Sequence, residues 1–318
     1  MGDRGTSNHS GVTDFILVGF RVRPELHILL FLLFLLVYMM ILLENVGMMA
    51  IIMTDPRLNT PMYFFLGNLS FVDLFYSSVI APKAMINFWS ESKTISFAGC
   101  VTQLFLFAVF IVTEGFLLAV MAYDRFVAIC NPLLSSVQMS TRLCTQLVAG
   151  SYFCGCISSI LQTSMTFTLS FCASQAINYF YCDVYPLQTI SCSDLYIHKM
   201  VSFFLCIIIV FPTIIVIIVS YMYIVSTVLK LRSTEGHKKA FSTCSSHLGV
   251  LIVGILYGAG FLMYLTPDSF PELSKVASLC YTLVTPMLNP LIYSLRNKDV
   301  KEALGKILGG KCSYFTLF

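Results

Sequence analysis

Between Met200 and Leu229 the chain carries no charged residue. About 20 helical residues cross the ~30 Å hydrocarbon core of a bilayer, so this stretch alone is long enough to span one. Six more apolar runs accompany it. The first covers Leu26 to Met53 and is interrupted by Glu44; the second covers Pro61 to Pro82 and contains Asp73; the third covers Phe97 to Ala122 and contains Glu114. A fourth span lies within the charge-free stretch from Leu143 to Cys182, which is too long for one helix and must include a loop. The sixth, Ala240 to Thr266, holds only His247, and the seventh, Val276 to Leu295, holds no charge. The runs are continuous rather than alternating, which favours helices over barrel strands. The expected architecture is an all-α membrane protein, a bundle of seven transmembrane helices.

Composition agrees. The chain is 57% apolar and 11% charged, where a soluble domain carries about 25% charge. That excludes a cytosolic enzyme, a disordered regulator and a nucleic-acid binder of the basic-patch type. The first 25 residues contain Asp3, Asp14 and Glu25 and do not read as a cleavable signal. With the N-terminus outside, 12 of the 19 basic residues fall on the inner side, Arg57, Arg125, Lys230, Arg296, Lys298 and Lys301 among them. This basic excess supports an N-outside, C-inside topology. The expected divisions are an extracellular tail (1–25), a membrane domain (26–296) and a cytoplasmic helix and tail (297–318). In the last of these, Val300, Leu304, Ile307 and Leu308 share one helical face flanked by lysines. They read as a short amphipathic helix on the inner leaflet. Asn8-His9-Ser10 in the outer tail is a glycosylation sequon.

Polar groups inside spans are costly, so each needs a reason. Asp73 and Glu114 sit in spans two and three, and Asn45 and Asn289 at polar breaks in spans one and seven. They could share one cavity and hold a small hard cation, or form a buried network that fixes helix packing. Asn289-Pro290 places an amide beside a helix weak point, a hinge candidate. Four cysteines lie on the outer side: Cys100, Cys172, Cys182 and Cys192. They allow three pairings, and spacing does not choose among them. The five histidines are scattered, and no His-Glu-x-x-His, phosphate loop or nucleophile elbow occurs. Neither an enzyme nor a resident metal is expected. A transporter or channel is disfavoured by the lack of internal repeats and of a line of charges through the spans.

Five motifs then arrive in order. Met121-Ala122-Tyr123-Asp124-Arg125-Phe126-Val127-Ala128-Ile129-Cys130 follows span three, and Leu58-Asn59-Thr60-Pro61-Met62-Tyr63 opens span two. Ser220-Tyr221 closes span five, and Lys239-Ala240-Phe241-Ser242-Thr243-Cys244 opens span six. Pro286-Met287-Leu288-Asn289-Pro290-Leu291-Ile292-Tyr293 ends span seven. On these motifs the chain resembles the olfactory receptors, a branch of the rhodopsin-like G-protein-coupled receptors. The resemblance implies a receptor for small volatile, mostly apolar odorants, coupled to a stimulatory heterotrimeric G protein at the plasma membrane. It assigns Asp124 and Arg125, with Tyr221, Asn289, Pro290 and Tyr293, to the activation switch. Asp73 and Glu114 resemble the family's sodium-site carboxylates, so a sodium ion is the one cofactor-like group expected. Cys100–Cys182 and Cys172–Cys192 become the implied bridges. The implied pocket lies in the outer half of spans three, five, six and seven: Phe107, Ala108, Ile111, Val112, Cys206, Tyr257, Phe261, Tyr264 and Thr282. No carboxylate occurs among these positions, which disfavours an amine ligand. The chain departs from the usual pattern at Glu44, Asn59, Gly67, Phe126, Ser135 and Leu256. Glu44, an added acid within span one, is expected to impair folding or surface delivery.

Overall fold

A computed structural model describes residues 13–19, 23–90, 92–133, 135–171, 175–230, 275, 278–296 and 298–307, with some residues near the C-terminal end, Tyr293 among them, described by backbone alone. The helices are α1 (Pro24–Thr54), α2 (Pro61–Trp89), α3 (Phe97–Cys130), α4 (Ser135–Gln138), α5 (Thr141–Phe167), α6 (Val184–Thr189), α7 (Tyr196–Lys230), α8 (Thr285–Arg296) and α9 (Lys298–Ile307). Among the described residues, α1, α2, α3, α5 and α7 are long and apolar enough to cross a membrane. They correspond to expected spans one to five. The seventh appears as a five-residue π-helical turn, Cys280–Val284, running into α8. The sixth lies outside the described residues.

A backbone in hydrocarbon must satisfy its own hydrogen bonds, which accounts for long uninterrupted helices. Their ends follow local chemistry. Ser96 Oγ accepts the Gly99 N–H at the start of α3 (3.1 Å), and Ser140 Oγ accepts the Leu143 N–H at the start of α5. Pro61 opens α2, where its missing N–H costs nothing. Two helices outrun the expected spans. α2 continues through Pro82 to Trp89, and α3 continues past Ala122 to Cys130. Charges mark the edge of the hydrocarbon rather than the end of a helix. At 1.5 Å per residue α3 is about 50 Å long, well over one bilayer core. The Asp124-Arg125 motif is therefore held rigidly on a helix.

α3 is the central post, packing against α2, α5 and α7, while α1 leans on α2 and α8. Leu29, Leu36 and Leu43 on α1 are 61%, 60% and 76% exposed. Spaced seven apart, they form an outward stripe suited to lipid rather than water. At the inner end, Val300 and Ala303 of α9 are buried in the same core as Met48 and Leu58. Arg57 bonds Asp55 (2.8 Å) and Glu302 of α9 (2.9 Å). Those bonds, Asp55 first, hold the guanidinium even more firmly protonated. The amphipathic helix thus turns Val300 and Ala303 toward protein; the side chains of Leu304, Ile307 and Leu308 are not described.

The N-terminal segment is partly built in. β1 (Asp14–Leu17) is the middle strand of a three-stranded sheet in the order β2-β1-β3. β2 (Thr94–Ser96) pairs antiparallel, Phe15 opposite Ile95, and β3 (Ala176–Ile177) pairs parallel, Leu17 opposite Ile177. Phe15 and Leu17 are buried, whereas Asp14 and Ile16 face out, the period of two that a strand dictates. Gly19 takes φ +62°, and a Cβ there would press on the Phe180 ring at 3.2 Å.

α3 and α5 approach closely at Gly155. An added Cβ would lie 2.5 Å from Thr113 Oγ1 and 2.8 Å from the Val109 carbonyl oxygen. Gly155→Ala must part the two helices and should cost about 1–3 kcal/mol. The expected outcome is a clear fall in the thermal midpoint of the purified receptor. Gly150→Ala on the same helix, where the Cβ meets nothing within 4 Å, should leave it unchanged or raised.

Candidate functional site

The four polar residues singled out within spans one, two, three and seven meet. Asp73, Glu114 and Asn45 are fully buried, and Asn289 nearly so. Asn289 Nδ2 donates to Asp73 Oδ2 at 3.0 Å and to Glu114 Oε1 at 3.1 Å. One amide from α8 thus joins a carboxyl of α2 to a carboxyl of α3. Asn45 Nδ2 donates to its own helix at the Ile41 carbonyl and across to the Pro286 carbonyl, both at 3.0 Å. The second acceptor has a local origin. Pro286 O would ordinarily receive the N–H of residue 290, but Pro290 has none. The released carbonyl is the one that α1 captures. The Asn-Pro pair therefore serves both sides of the junction: its amide reaches α2 and α3, and its proline frees an acceptor for α1.

Two carboxyls on one neutral amide place up to two formal negative charges in an apolar interior. A proton or a cation has to offset them. Oxygen donors remain: among the described residues, Asp73 Oδ1 and Asn45 Oδ1 are buried without a hydrogen-bond partner, as are Ser70 Oγ, one turn before Asp73, and Thr285 Oγ1, one turn before Asn289. A carboxylate, amide and hydroxyl oxygen set fits a small hard cation such as sodium and does not fit a soft metal.

At the inner end of α3, Arg125 Nε donates to Asp124 Oδ2 at 3.1 Å, and Nη2 donates to the same oxygen. Asp124 is buried and Arg125 about one-fifth exposed. The carboxylate side-on to a guanidinium at the membrane edge is a breakable charge-assisted contact. The α3 and α7 inner ends are pressed together around it. Phe126 packs on Tyr223 with ring centroids 5.6 Å apart, and Cys130 Sγ lies 3.2 Å from Thr227 Oγ1. Tyr221 is buried in the core that includes Met121 and Ala122. Phe126, one of the departures from the usual pattern, is thus an interhelical ring contact. Ser135 caps locally onto the Pro132 carbonyl. Glu44 is half-buried, and its Oε2 is buried with no partner among the described residues.

The expected pocket positions divide. Phe107 and Ile111 belong to one outer cluster with Tyr76, Tyr181, Leu279 and Leu283. Phe107 stacks on Tyr76 at 5.5 Å and meets Tyr181 at 5.1 Å. Thr282 is fully buried in the π-helical turn, and its hydroxyl donates to its own helix at Ser278 O. Ala108, Val112 and the thiol of Cys206 are half-buried and lie outside that cluster. Tyr257, Phe261 and Tyr264 lie outside the described residues, as do Asn8 and Cys172.

The outer cover is fastened at α3. Cys100 and Cys182 form a disulfide. Beside it the Cys182 N–H donates to Gln103 Oε1 at 2.9 Å, while Gln103 Nε2 donates to the Val79 carbonyl at 3.0 Å. Cys192 is also disulfide-bonded. Gln103 and Tyr181 were not among the sequence-derived candidates. Gln103 had a readable signal, an amide within an apolar span. Tyr181 had none beyond its place next to Cys182.

Comparison with known proteins places the arrangement. A family profile described as "Olfactory receptor" matches residues 34–311. Human Olfactory receptor 9K2 is 84% identical over 311 residues, covering 98% of this chain and 92% of that protein. Mouse Olfactory receptor 5AR1 is 52% identical over 96% of this chain and 98% of its own length. Human Olfactory receptor OR9H1 is 51% identical over 93% of this chain and 96% of its own length. This multi-pass membrane chain, a receptor by kinship and not an enzyme, belongs to the olfactory receptor family.

Proposed function

We propose that this chain is an odorant receptor of the plasma membrane, a seven-helix bundle with its N-terminus (1–25) outside, its membrane domain over 26–296 and its C-terminal helix and tail (297–318) inside. It holds small volatile, mostly apolar molecules in the outer half of the bundle and activates a stimulatory heterotrimeric G protein, raising cyclic AMP. Apolar and aromatic side chains suit such ligands, which are held by dispersion and one or two hydrogen bonds. The cluster of Phe107 and Ile111 beneath Tyr181 supports this placement. Apolar spans and the kinship support the membrane location.

The observation that carries the signalling half is the Asp124–Arg125 pair on α3. In the resting receptor Asp124 restrains the guanidinium. A ligand that favours the opened inner face shifts the population toward the state in which Arg125 is released to the G protein. Tyr221 and Tyr293 close in behind it, and the Asn289-Pro290 break supplies the hinge. The expected result is an odorant-dependent cyclic AMP rise in cells displaying the chain. Arg125→Ala should abolish it while surface display is retained. A ligand response of unchanged size in Arg125→Ala would overturn the coupling reading.

Sodium fits the junction of Asp73, Glu114, Asn45 and Asn289. Those residues would hold it, and its charge would offset the buried carboxylates of the resting state. Replacing sodium by choline should lower the thermal midpoint of the purified receptor. The same exchange should have no effect on Asp73→Asn; equal sensitivity in both would remove the ion from the account.

A further inference from the structure

Lys275 has no part in the switch, the ion site or the pocket positions, yet it is only 2% exposed. Its Nζ donates to Asn178 Oδ1 at 2.9 Å. Lys275 belongs to the seventh segment: Ser278 Oγ donates to the Lys275 carbonyl at 3.0 Å, and Thr282 Oγ1 donates to the Ser278 carbonyl at 2.7 Å. Spacings of three and four residues put Lys275, Ser278 and Thr282 along one helical face, so the lysine is two turns from a pocket position.

Asn178 directly follows β3, and four residues later Cys182 is bonded to Cys100 of α3. Between these anchors lie Tyr179, Phe180 and Tyr181, all buried. Phe180 packs on Phe34 of α1 at 6.2 Å, and Tyr181 on Phe107 of α3 at 5.1 Å. The segment 178–182 is thus a strap across the outer bundle. It is tied covalently to α3 at one end; at the other, the Ile177 and Tyr179 carbonyls accept the Val18 and Gly19 N–H groups, and Asn178 between them takes the ammonium of the seventh segment. The covalent tie persists on the oxidising outer side. The ammonium–amide bond is reversible, and burial shields it from competing water.

Resting on the reading of Phe107 as a pocket residue, we infer that Lys275 is a positioning residue for the ligand chamber: through Asn178 it latches the strap so that Tyr181 roofs the space over Phe107. An apolar ligand is retained best when its chamber is closed to water. The latch therefore sets how fast the chamber exchanges with the outside, and Lys275 acts on ligand residence without touching ligand.

The test reads the roof itself. Full-length receptor carrying Phe107→Cys is displayed on intact cells and treated with a membrane-impermeant methanethiosulfonate reagent. The rate specific to position 107 is taken against the same background retaining Phe107. Loss of one charge-assisted hydrogen bond should raise that rate roughly tenfold or more in Lys275→Met. Asn178→Ala, which removes the strap's acceptor and leaves the lysine, should act in the same direction. Lys275→Arg should keep the slow rate and Asn178→Asp should lower it further, a rescue and a strengthening that a merely structural role would not produce. Equal rates in all backgrounds overturn the latch. Absence of labelling in every background overturns it too, since no chamber then lies beneath the roof. The readout needs no ligand and no G protein, so failure of the cyclic AMP response would leave this result standing.

Discussion

A single side-chain amide, that of Asn289, is shared between two buried carboxyls, and the helical frame is arranged to permit it. Asp73 and Glu114 approach each other in an apolar interior with a shared donor between them. Removing it would take a donor from both carboxyls, in a place where an unsatisfied buried acceptor costs on the order of 1–3 kcal/mol. Pro290 is part of the same arrangement. By failing to donate to Pro286 O it leaves the carbonyl that Asn45 takes up. Four spans are thereby held at one junction whose bonds are directional and few. Such a junction suits a switch: it defines a resting arrangement and leaves a proline-weakened helix free to choose another.

The two ends of the bundle are built on different principles. At the outer end, a disulfide, Gln103 and a three-stranded sheet immobilise the cover, and Phe15 and Leu17 fill it. At the opposite end, α9 is held by the exposed pairs of Arg57 with Asp55 and Glu302, while the buried Asp124 pairs with the mostly buried Arg125. Exposed pairs contribute little to stability and break readily.

Much of this was legible in the chain. The absence of charge between Met200 and Leu229 foretold the body of α7, because hydrocarbon excludes charge over a fixed thickness, though the helix begins four residues earlier, at Tyr196. The cost of burying Asn45, Asp73, Glu114 and Asn289 marked them as partners before any contact was known. What failed to show has physical reasons. Helix ends beyond the hydrocarbon, as at Cys130 and Trp89, leave no hydropathy signal. β1 is four residues long, too short for its alternation to stand out, and its partners lie about 80 and 160 residues away. That Val300 faces protein, that Lys275 reaches Asn178 and that Tyr181 covers Phe107 depend on tertiary approach, which spacing along one chain does not encode.

The central claim is that Asp73 and Glu114 act as one unit through Asn289. The most direct measurement is a double-mutant cycle on thermal unfolding of the purified receptor, with Asp73→Asn, Glu114→Gln and the pair. Because both carboxyls bond the same amide, the account predicts that the double variant departs from the sum of the singles by about 0.5–3 kcal/mol. Additivity within about 0.3 kcal/mol would mean that the two carboxyls are independent, and would contradict it.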